Sequence, residues 1–467
     1  MQGSFFEEFL YLTEVKTLIF IAVLLVLFYV IRRMEKRKVN FSMRMLIATG
    51  LGLILGLSIQ LVGGFPDAPL EVRFISEVNT WYGLISTGFM SLLRMLVIPL
   101  IFVSIIRVII NMENSANLGK LTARTIGTLI GTTVIATIIA IIVGQLFRLG
   151  VGSNLVEGEA EIREISTLAS TVLGLIPANP IEAMVNNNVI AIVIFSAFLG
   201  VATKRQTKKH YDVVKPFINL VEAFYKVILS VAMTIIKWMP YAVIALFANT
   251  VAGRGVSALA EVATFIVATY VSIAIMFLIH LIIISINGLN PIQYLKNVLD
   301  VLVLAFTSRS SLGTLPVTIE KLTTEVGVNQ GTATFVGTLA TNGGMNGCAG
   351  IFPALAAVML ANMTGTPINF TFIVMLMIVI AFGSFGIAGL PGTATMALSV
   401  TLAGMGLGEF FPLLAGVVAI DPILDMGRTM LNVNGALTTA VVVDKSLGQL
   451  DEEVYYGRKK VELELEA

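Results

Sequence analysis

The sequence predicts an all-α polytopic membrane protein, and three observations lead to this prediction. First, 56% of the 467 residues are hydrophobic and only 13% are charged, whereas soluble domains carry about a quarter charged residues. Second, apolar runs of about 20 residues, long enough to cross a bilayer, recur along the chain. Third, basic residues cluster in the short segments between these runs, as they do in cytoplasmic loops.

The composition excludes several classes of function. The formal net charge is +1, from 30 basic and 29 acidic residues, so no excess positive charge favours nucleic acid as a partner. The single cysteine, Cys348, rules out an intramolecular disulfide, and two histidines argue against a histidine-based metal centre. We therefore expect no resident cofactor, and the chemistry must come from other residues.

The basic segments predict the topology of the chain. The first apolar run, 15–31, is too long for a signal-peptide core and is followed by a basic cluster, so we expect a retained helix. The positive-inside rule then places the N-terminus outside and the C-terminus inside. The loop at 150–167 is acidic, which agrees with the external position that this topology gives it. Residues 461–467 read as a remnant of cloning.

Hydropathy predicts membrane-spanning helices over most of the first 290 residues. The predicted spans are 15–31, 43–63, 82–111, 122–148, 168–203, 213–250 and 258–287. We expect Pro99 and Pro240 to kink two of these helices, because proline removes a backbone donor.

From Asn297 onward the apolar sequence is interrupted by runs of small and polar residues. They read SRSSLGTLP at 308–316, TNGGMNGCAG at 341–350 and GSFGIAGLPGTAT at 383–395. A broken helix is tolerated in a membrane only where its backbone is buried in protein or lines an aqueous cavity. Paired interruptions of this kind indicate the binding site of a secondary transporter. Close packing of helices through small residues is the competing explanation.

A polar stripe follows the last interruption. Asp421, Asp425, Arg428 and Asn432 are spaced by four, three and four residues, so they share one helix face. A zwitterionic ligand needs such groups, since a carboxylate accepts from an ammonium and a guanidinium binds a carboxylate in bidentate fashion. The competing explanation is an internal Asp425–Arg428 ion pair that only joins helices.

These motifs resemble those of the dicarboxylate/amino acid:cation symporters, the family of prokaryotic and neuronal glutamate transporters. The resemblance covers nearly everything after the first helix. It rests on IPANP at 176–180, SRSS at 308–311, GLPGTAT at 389–395 and DMGRTMLNVNG at 425–435. NGCAGIFPA at 346–354, TSRSS at 307–311 and the additional N-terminal helix look most like the bacterial L-cystine uptake symporters.

The resemblance implies a glutamate-transporter-like elevator fold and a homotrimer in the lipid bilayer. Residues 1–42 would be an extra transmembrane helix and basic loop, 43–121 and 168–250 mainly scaffold, and 451–467 a cytoplasmic tail. A mobile transport domain would comprise 122–148 and 258–450. It would include re-entrant hairpins near 296–325 and 366–407, and the second hairpin would be the outer gate.

The resemblance also assigns roles to single residues. Asp425 matches the residue that holds the substrate amino group, Asn432 helps to bind the main carboxylate, and Arg428 selects an acidic side chain. Further substrate contacts are expected at Ser310, Ser311, Gly389 and Thr429. Arg309 either compensates a carboxylate of the last helix or only anchors the hairpin tip, and Cys348 is more simply a packing residue than a substrate contact.

The ion sites depart from the family pattern. Two aspartates that coordinate sodium in the family are replaced here by Asn346 and Ala436, which weakens the case for the full set of sodium sites. A sodium site built from backbone carbonyls remains a candidate, with Asn432 nearby. Its residues would be Thr341, Ser384, Phe385 and Ile387. Protons carried by Asp421 or Asp425 are the other candidate, since an intramembrane carboxylate can become neutral.

Taken together, the sequence predicts a secondary active symporter that imports L-cystine, driven by Na+, H+ or both, in the cytoplasmic membrane of a prokaryote. A glutamate, aspartate or dicarboxylate symporter is the alternative within the same class. An ion channel lined by the polar stripe is the alternative from a different class. An enzyme is not expected.

Overall fold

The structure is a computed structural model that describes residues 9–39, 41–110, 116–152, 178–186, 189–255, 257–341, 343–386 and 392–461. Every regular element within these ranges is helical. The first ten α-helices are α1 (Val15–Lys36), α2 (Phe41–Gly63), α3 (Arg73–Met95), α4 (Val97–Ile110), α5 (Ala116–Leu146), α6 (Pro180–Val185), α7 (Val189–Thr207), α8 (Tyr211–Lys237), α9 (Met239–Arg254) and α10 (Ser257–Ile286). The remainder are α11 (Pro291–Ser308), α12 (Ser311–Thr324), α13 (Gln330–Ala340), α14 (Phe352–Met363), α15 (Phe370–Gly383), α16 (Ala394–Gly404), α17 (Ala415–Ala419), α18 (Asp421–Ser446) and α19 (Glu452–Tyr455).

Seven segments among the described residues are long and apolar enough to cross a membrane. They are Val15–Lys36, Met43–Gly63, Arg73–Arg107, Gly119–Leu146, Tyr211–Lys237, Leu259–Ile286 and Asn346–Met363. An eighth span arises if the broken pair Gly408–Ala419 and Asp421–Ser446 is counted as one. The predicted all-α, multi-span architecture is therefore confirmed.

Several predicted spans differ from the observed helices in detail. The span expected at 82–111 begins earlier, at Arg73, and is divided between α3 and α4, with Pro99 in the first turn of α4. The span expected at 213–250 is divided at Trp238, and Pro240 occupies the first turn of α9. Proline fits a first turn because its missing N–H needs no partner there. Both proline positions thus follow one-residue interruptions of the helix, at Leu96 and Trp238.

The span predicted at 168–203 lies partly outside the described residues. Inside them, α6 and α7 are separate helices, and Asn179 begins α6 by accepting hydrogen bonds from the backbone N–H groups of Ile181 and Glu182. The acidic loop predicted at 150–167 lies almost wholly outside the described residues, as do the last six residues of the chain.

The helices form two compact units, the first of which comprises the described parts of Met1–Met95, Val231–Val267 and Glu409–Ile423. Its centre is the close contact of α2 with α9. A Cβ added at Gly52 would lie 2.9 Å from the carbonyl oxygen of Ile244, and one at Gly56 would lie 2.7 Å from Cβ of Val251. Small residues thus allow the two backbones to approach, as they do between helices in membranes.

Within the first unit, Glu77 of α3 closes the N-terminal end of α1. Its buried carboxylate accepts hydrogen bonds from the backbone N–H groups of Thr13 and Glu14 at 3.1 and 3.2 Å, and from the Thr17 hydroxyl at 2.7 Å. The Thr13 hydroxyl and Arg73 Nε also donate to it. The amide of Glu14, the N-cap residue of α1, has no partner within the helix, and Glu77 supplies its acceptor.

The second unit comprises the described parts of Leu96–Ser230, Ala268–Gly408 and Leu424–Ala467. It contains two pairs of packed helices at the positions where the sequence predicts hairpins. In the first hairpin, α11 and α12 pack together and are joined by Arg309 and Ser310; in the second, α15 packs against α16. Between the hairpins run α13, a π-helical segment over Asn346–Ile351 and the almost fully buried α14.

The capping role of Glu77 predicts the effect of removing its carboxylate. Glu77→Ala should lower the free energy of unfolding by about 2–3 kcal/mol, since several buried donors lose a charged acceptor. Thermal denaturation in detergent would measure the loss. Glu71→Ala removes an exposed carboxylate from the segment just before α3 and is the matched control. Equal melting temperatures for the two variants would contradict the capping role.

Candidate functional site

The polar stripe predicted from the sequence lies on α18, and its side chains are buried. Asp425, Arg428, Thr429 and Asn432 are each at most 5% exposed, and they follow one another at the spacing of a single helix face. A charged side chain at the middle of a bilayer costs about 2.5–3.5 kcal/mol on insertion scales, so each needs a partner inside the protein.

Asp425 is held between two arginines. Its Oδ2 lies 3.3 Å from Nε of Arg309, and its Oδ1 lies 3.4 Å from Nη2 of Arg428. The Thr429 hydroxyl donates to the same Oδ1 at 3.3 Å. Two guanidinium groups therefore face one carboxylate, and these three side chains together carry one net positive charge. A guanidinium group can bind a ligand carboxylate in bidentate fashion.

The structure decides between the two roles that the sequence left open for Arg309. This residue ends α11 at the tip of the first hairpin, in the left-handed conformation with φ of 56°. Its side chain is 1% exposed and reaches Asp425, so it compensates the carboxylate of α18. Non-glycine residues rarely adopt this backbone conformation, and the buried ion pair is what holds it here.

The two serines beside Arg309 begin α12. Ser310 is the N-cap, and its hydroxyl accepts a hydrogen bond from the backbone N–H of Gly313 at 2.9 Å. Ser311 is the first helical residue and is buried. Because the first amides of a helix are free to bind an anion, the hairpin tip can present backbone donors to a carboxylate. The Ser310 hydroxyl already accepts the hydrogen bond of the N-cap.

Asn432 contacts the interrupted segment rather than Asp425. Its Oδ1 accepts hydrogen bonds from the backbone N–H groups of Gly347 and Cys348 at 2.8 and 3.2 Å. Its Nδ2 is buried and has no hydrogen-bond partner within the described part of the chain. A buried donor without a partner is costly, and a ligand carboxylate would satisfy it.

Gly347 brings the interrupted segment against the backbone of α18. A Cβ at this position would lie 2.5 Å from the carbonyl oxygen of Arg428 and 2.7 Å from its Cα. Only glycine allows such an approach without moving a helix. The π-helical segment is therefore pressed onto the same turn of α18 that carries the charged residues.

Two contacts of the site were not assigned from the sequence. Phe352, the first residue of α14, places its buried ring under Arg428, with 4.1 Å from the guanidinium carbon to the ring centre. The Cys348 thiol lies 3.8 Å from Asp425 Oδ1. The one sequence feature that could have suggested a place for Phe352 in the site is its position just after NGCAGI. The orientation of its ring depends on the π-helical turn.

The candidate sodium residues lie in two segments that meet. Thr341 ends α13 and Ser384 follows α15; both are buried, and their hydroxyls donate to Thr338 and Ala381 carbonyl oxygens. A Cβ at Gly343 would lie 2.5 Å from the Phe385 ring, so the segments are in direct contact. Ile387 and the substrate candidate Gly389 lie outside the described residues.

The two positions where the family has aspartates are buried and uncharged here. Asn346 opens the π-helical segment and Ala436 lies on α18. The Asn346 side chain fills the space where a Cβ at Gly435 would be. No group of three or more His, Cys, Asp or Glu residues that could hold a metal ion occurs in the described ranges. A sodium site would therefore depend on carbonyl, hydroxyl and amide oxygens.

Asp421 is the first residue of α18 and is fully buried. It belongs to the first compact unit, whereas Asp425, Arg428, Thr429, Asn432, Ser310, Ser311, Thr341, Asn346 and Ser384 belong to the second. The structure thus brings the substrate candidates of the hairpin tip, the π-helical segment and α18 together within one unit.

Comparison with known proteins identifies the family. The model described as the sodium:dicarboxylate symporter family matches residues 41–446. The L-cystine uptake protein TcyP of Bacillus thuringiensis is 38% identical over 451 residues, which cover 93% of this chain and 96% of that protein. Proteins of the same name from Shouchella clausii and Bacillus licheniformis are 39% and 35% identical, over 94% of this chain and 96% and 97% of theirs. The predicted resemblance is confirmed, and the chain belongs to the sodium:dicarboxylate symporter family of cation-coupled membrane transporters, which are not enzymes.

Proposed function

We propose that this protein imports L-cystine across the cytoplasmic membrane by ion-gradient-driven symport. The observation that carries the proposal is the buried site in which Asp425 lies between Arg309 and Arg428. Relatives that span almost the whole chain are named L-cystine uptake proteins, which supports the same substrate.

In this proposal three of the four charged groups of L-cystine have a defined partner. Asp425 accepts from one ammonium group, and this contact replaces part of its pairing with Arg309 and Arg428. The Asn432 Nδ2 atom and the amides at the start of α12 bind the neighbouring carboxylate. Thr429 and Ser311 line the same space. Arg428, freed from Asp425, binds the distal carboxylate in bidentate fashion.

We propose that transport follows an elevator motion in a homotrimer. The transport domain, residues 122–148 and 258–450, would carry the substrate, and the second hairpin would be the outer gate, with Gly389 contributing to the substrate site. Residues 43–121 and 168–250 would form the scaffold, residues 1–42 the additional helix and loop, and 451–467 the cytoplasmic tail. The N-terminus would lie outside and the C-terminus inside, because the basic loops alternate in this way.

The coupling ion is proposed to be Na+, H+ or both. Thr341, Ser384, Phe385 and Ile387 would supply oxygen ligands to one sodium ion, with Asn432 nearby. Asn346 and Ala436 carry no charge. The protein would therefore neutralise fewer cations per transported substrate than a protein with carboxylates at these two positions. Asp421 or Asp425 would carry a proton where sodium is not used.

A second candidate substrate class is favoured by one specific observation. Arg309, Arg428 and Asp425 together carry one positive charge, which matches a net negative amino acid or dicarboxylate better than it matches neutral L-cystine. Import of glutamate, aspartate or a dicarboxylate is therefore the alternative function. It uses the same groups, with Arg428 bound to the side-chain carboxylate.

Gradient-driven uptake tests the proposed function directly. Purified protein in liposomes should accumulate radiolabelled L-cystine when an inward sodium or proton gradient is imposed, with the two gradients varied independently. Unlabelled L-cystine should compete and L-aspartate should not. Competition by L-aspartate alone would favour the alternative substrate class, and conductance without accumulation would indicate a channel. Absence of cystine uptake under every gradient would exclude the proposal.

Arg428 should determine the recognition of the distal carboxylate. Arg428→Ala is expected to weaken L-cystine binding by at least about 100-fold, since the distal carboxylate loses its charged partner. Arg428→Lys should recover only part of the affinity, because lysine keeps the charge without the bidentate geometry. Isothermal titration in detergent measures both. An unchanged affinity in Arg428→Ala refutes the assigned role.

Phe352 should matter through its contact with Arg428. Phe352→Leu keeps an apolar side chain but removes the ring face, so we expect KM for L-cystine to rise about tenfold, corresponding to about 1–2 kcal/mol for a buried cation–π contact. The matched control is Phe372→Leu, in which a buried phenylalanine of α15 is shortened. The same change in KM in both variants would show that the ring acts only by packing.

A further inference from the structure

The chain beyond α18 folds back onto the open end of the first hairpin, opposite its tip. We call residues 447–461 the C-terminal strap. Its only described helix, α19, begins after Asp451, and Val454 and Tyr455 of this helix are buried. Leu447, Leu450 and Tyr456 are partly buried against the apolar cluster that joins the first hairpin to α13 and α18.

The strap is hydrogen-bonded to both legs of the first hairpin. Asn297 of α11 donates through Nδ2 to two carbonyl oxygens, that of Glu325 at 2.7 Å and that of Tyr455 at 2.9 Å. One side chain thus ties α11 to the end of α12 and to the strap. The Tyr455 hydroxyl donates to the carbonyl oxygen of Asn290, the N-cap of α11, at 2.8 Å. Burial raises the pKa of Tyr455, so this hydroxyl keeps the proton that it donates.

A glycine marks the closest contact of the strap with the hairpin. The backbone N–H of Asp451 donates to the carbonyl oxygen of Gly327 at 2.8 Å. Gly327 has φ of +78°, and a Cβ there would overlap the carbonyl oxygen of Asp451. The loop between α12 and α13 can therefore approach the strap only because this residue has no side chain.

Charged side chains outside the membrane-spanning segments stabilise the conformation of the strap. Asp451 Oδ1 accepts from the backbone N–H groups of Glu453 and Val454, which caps α19. The Lys459 ammonium donates to Asp451 Oδ2 at 2.8 Å and lowers the pKa of that carboxyl, so Asp451 remains an ionised cap. Lys445 of α18 binds Glu452 at 2.9 Å and joins the strap to the helix before it.

The first hairpin is also bonded to α18 directly, near its base and at its tip. Near the base, in the first turn of α11, the buried Tyr294 hydroxyl donates to Asn434 Oδ1 at 2.9 Å and lies 3.2 Å from the Thr438 hydroxyl. At the tip, Arg309 pairs with Asp425. A ligand that takes Asp425 weakens the tip contact, whereas the bonds between the strap and the base involve none of the residues of the polar stripe.

We propose that the C-terminal strap locks the base of the first hairpin to α18, so that hairpin and helix move as one rigid body throughout transport. The strap makes the hairpin a fixed wall of the substrate site even when the substrate has loosened the Arg309–Asp425 pair. Release of the strap lets the two legs separate, and the tip then opens without the gradient. The locking of the hairpin to α18 does not depend on the identity of the substrate. The leak of L-cystine expected on release of the strap rests on the proposed function.

Two glycine substitutions test the lock. Gly327→Ala forces a Cβ into the Asp451 carbonyl oxygen, and Gly365→Ala is the matched control, since Gly365 has φ of +68° but open space around its Cβ position. Both variants place a side chain at a positive φ, and only the first brings a Cβ against the strap. Asn297→Ala is a second variant without backbone strain. It removes the two hydrogen bonds that Nδ2 donates to the carbonyl oxygens of Glu325 and Tyr455, and the one that Oδ1 accepts from Gln293 within α11. Arg458→Gln is its surface control.

Hydrogen exchange of the protein in nanodiscs is the primary measurement. Amides of 291–308 and 311–324 should exchange about tenfold faster in Gly327→Ala and Asn297→Ala than in the wild type and both controls, while those of α14 stay unchanged and so report an intact fold. In liposomes, the same two variants should lose preloaded L-cystine several-fold faster. Equal exchange in Asn297→Ala and Arg458→Gln overturns the proposal, even if Gly327→Ala fails to fold. If the wild type does not transport L-cystine, the exchange result still decides the lock.

Discussion

The pairing of one buried carboxylate with two buried guanidinium groups is the interaction on which the rest of the site depends. Arginine does not give up its proton in a protein, so Arg309 and Arg428 remain charged in an apolar interior and need Asp425 beside them. The pair with Arg309 fixes the tip of the first hairpin against α18 and stabilises its left-handed backbone. The ring of Phe352 supports Arg428 from the opposite side. The charges that hold the hairpin tip are thus the ones that the proposed substrate would bind.

The interrupted helices impose a second constraint, because every broken turn leaves amides and carbonyls without partners. Asparagines solve it at several starts of helices: Asn290 before α11, Asn329 before α13 and Asn369 before α15 each accept a backbone N–H. In the π-helical segment the partner comes from another helix, since Asn432 accepts from Gly347 and Cys348. In the second unit, side-chain amides therefore accept hydrogen bonds from backbone N–H groups at positions where a continuous helix would supply the acceptor. Within the described ranges, these hydrogen bonds leave Asn432 Nδ2 as a buried donor without a hydrogen-bond partner.

Charge is distributed differently at the base of the first hairpin. There, acidic and basic groups are partly exposed and hold the C-terminal strap through surface ion pairs, each of which contributes little alone. The part-buried hydrogen bonds of Tyr455 and Asn297 contribute more, and that of Asn297 satisfies the carbonyl of Tyr455 at the end of α19. The two ends of the hairpin thus differ in their interactions. A ligand could compete for the ion pair at the tip, whereas neutral hydrogen bonds and apolar packing stabilise the base.

The sequence alone determined the helical membrane fold, the positions of the interruptions and the residues of the polar stripe, since hydropathy, glycine and helix periodicity are local properties. It also placed Asp425, Arg428, Thr429 and Asn432 on one helix, as observed. Only the tertiary structure decided that Arg309 pairs with Asp425, that Phe352 lies under Arg428 and that Asn432 binds the amides of Gly347 and Cys348. These contacts join residues up to 116 positions apart, and their geometry depends on a left-handed tip and a π-helical turn. Neither feature is encoded in hydropathy or spacing, because each arises from the packing of distant segments around buried charge.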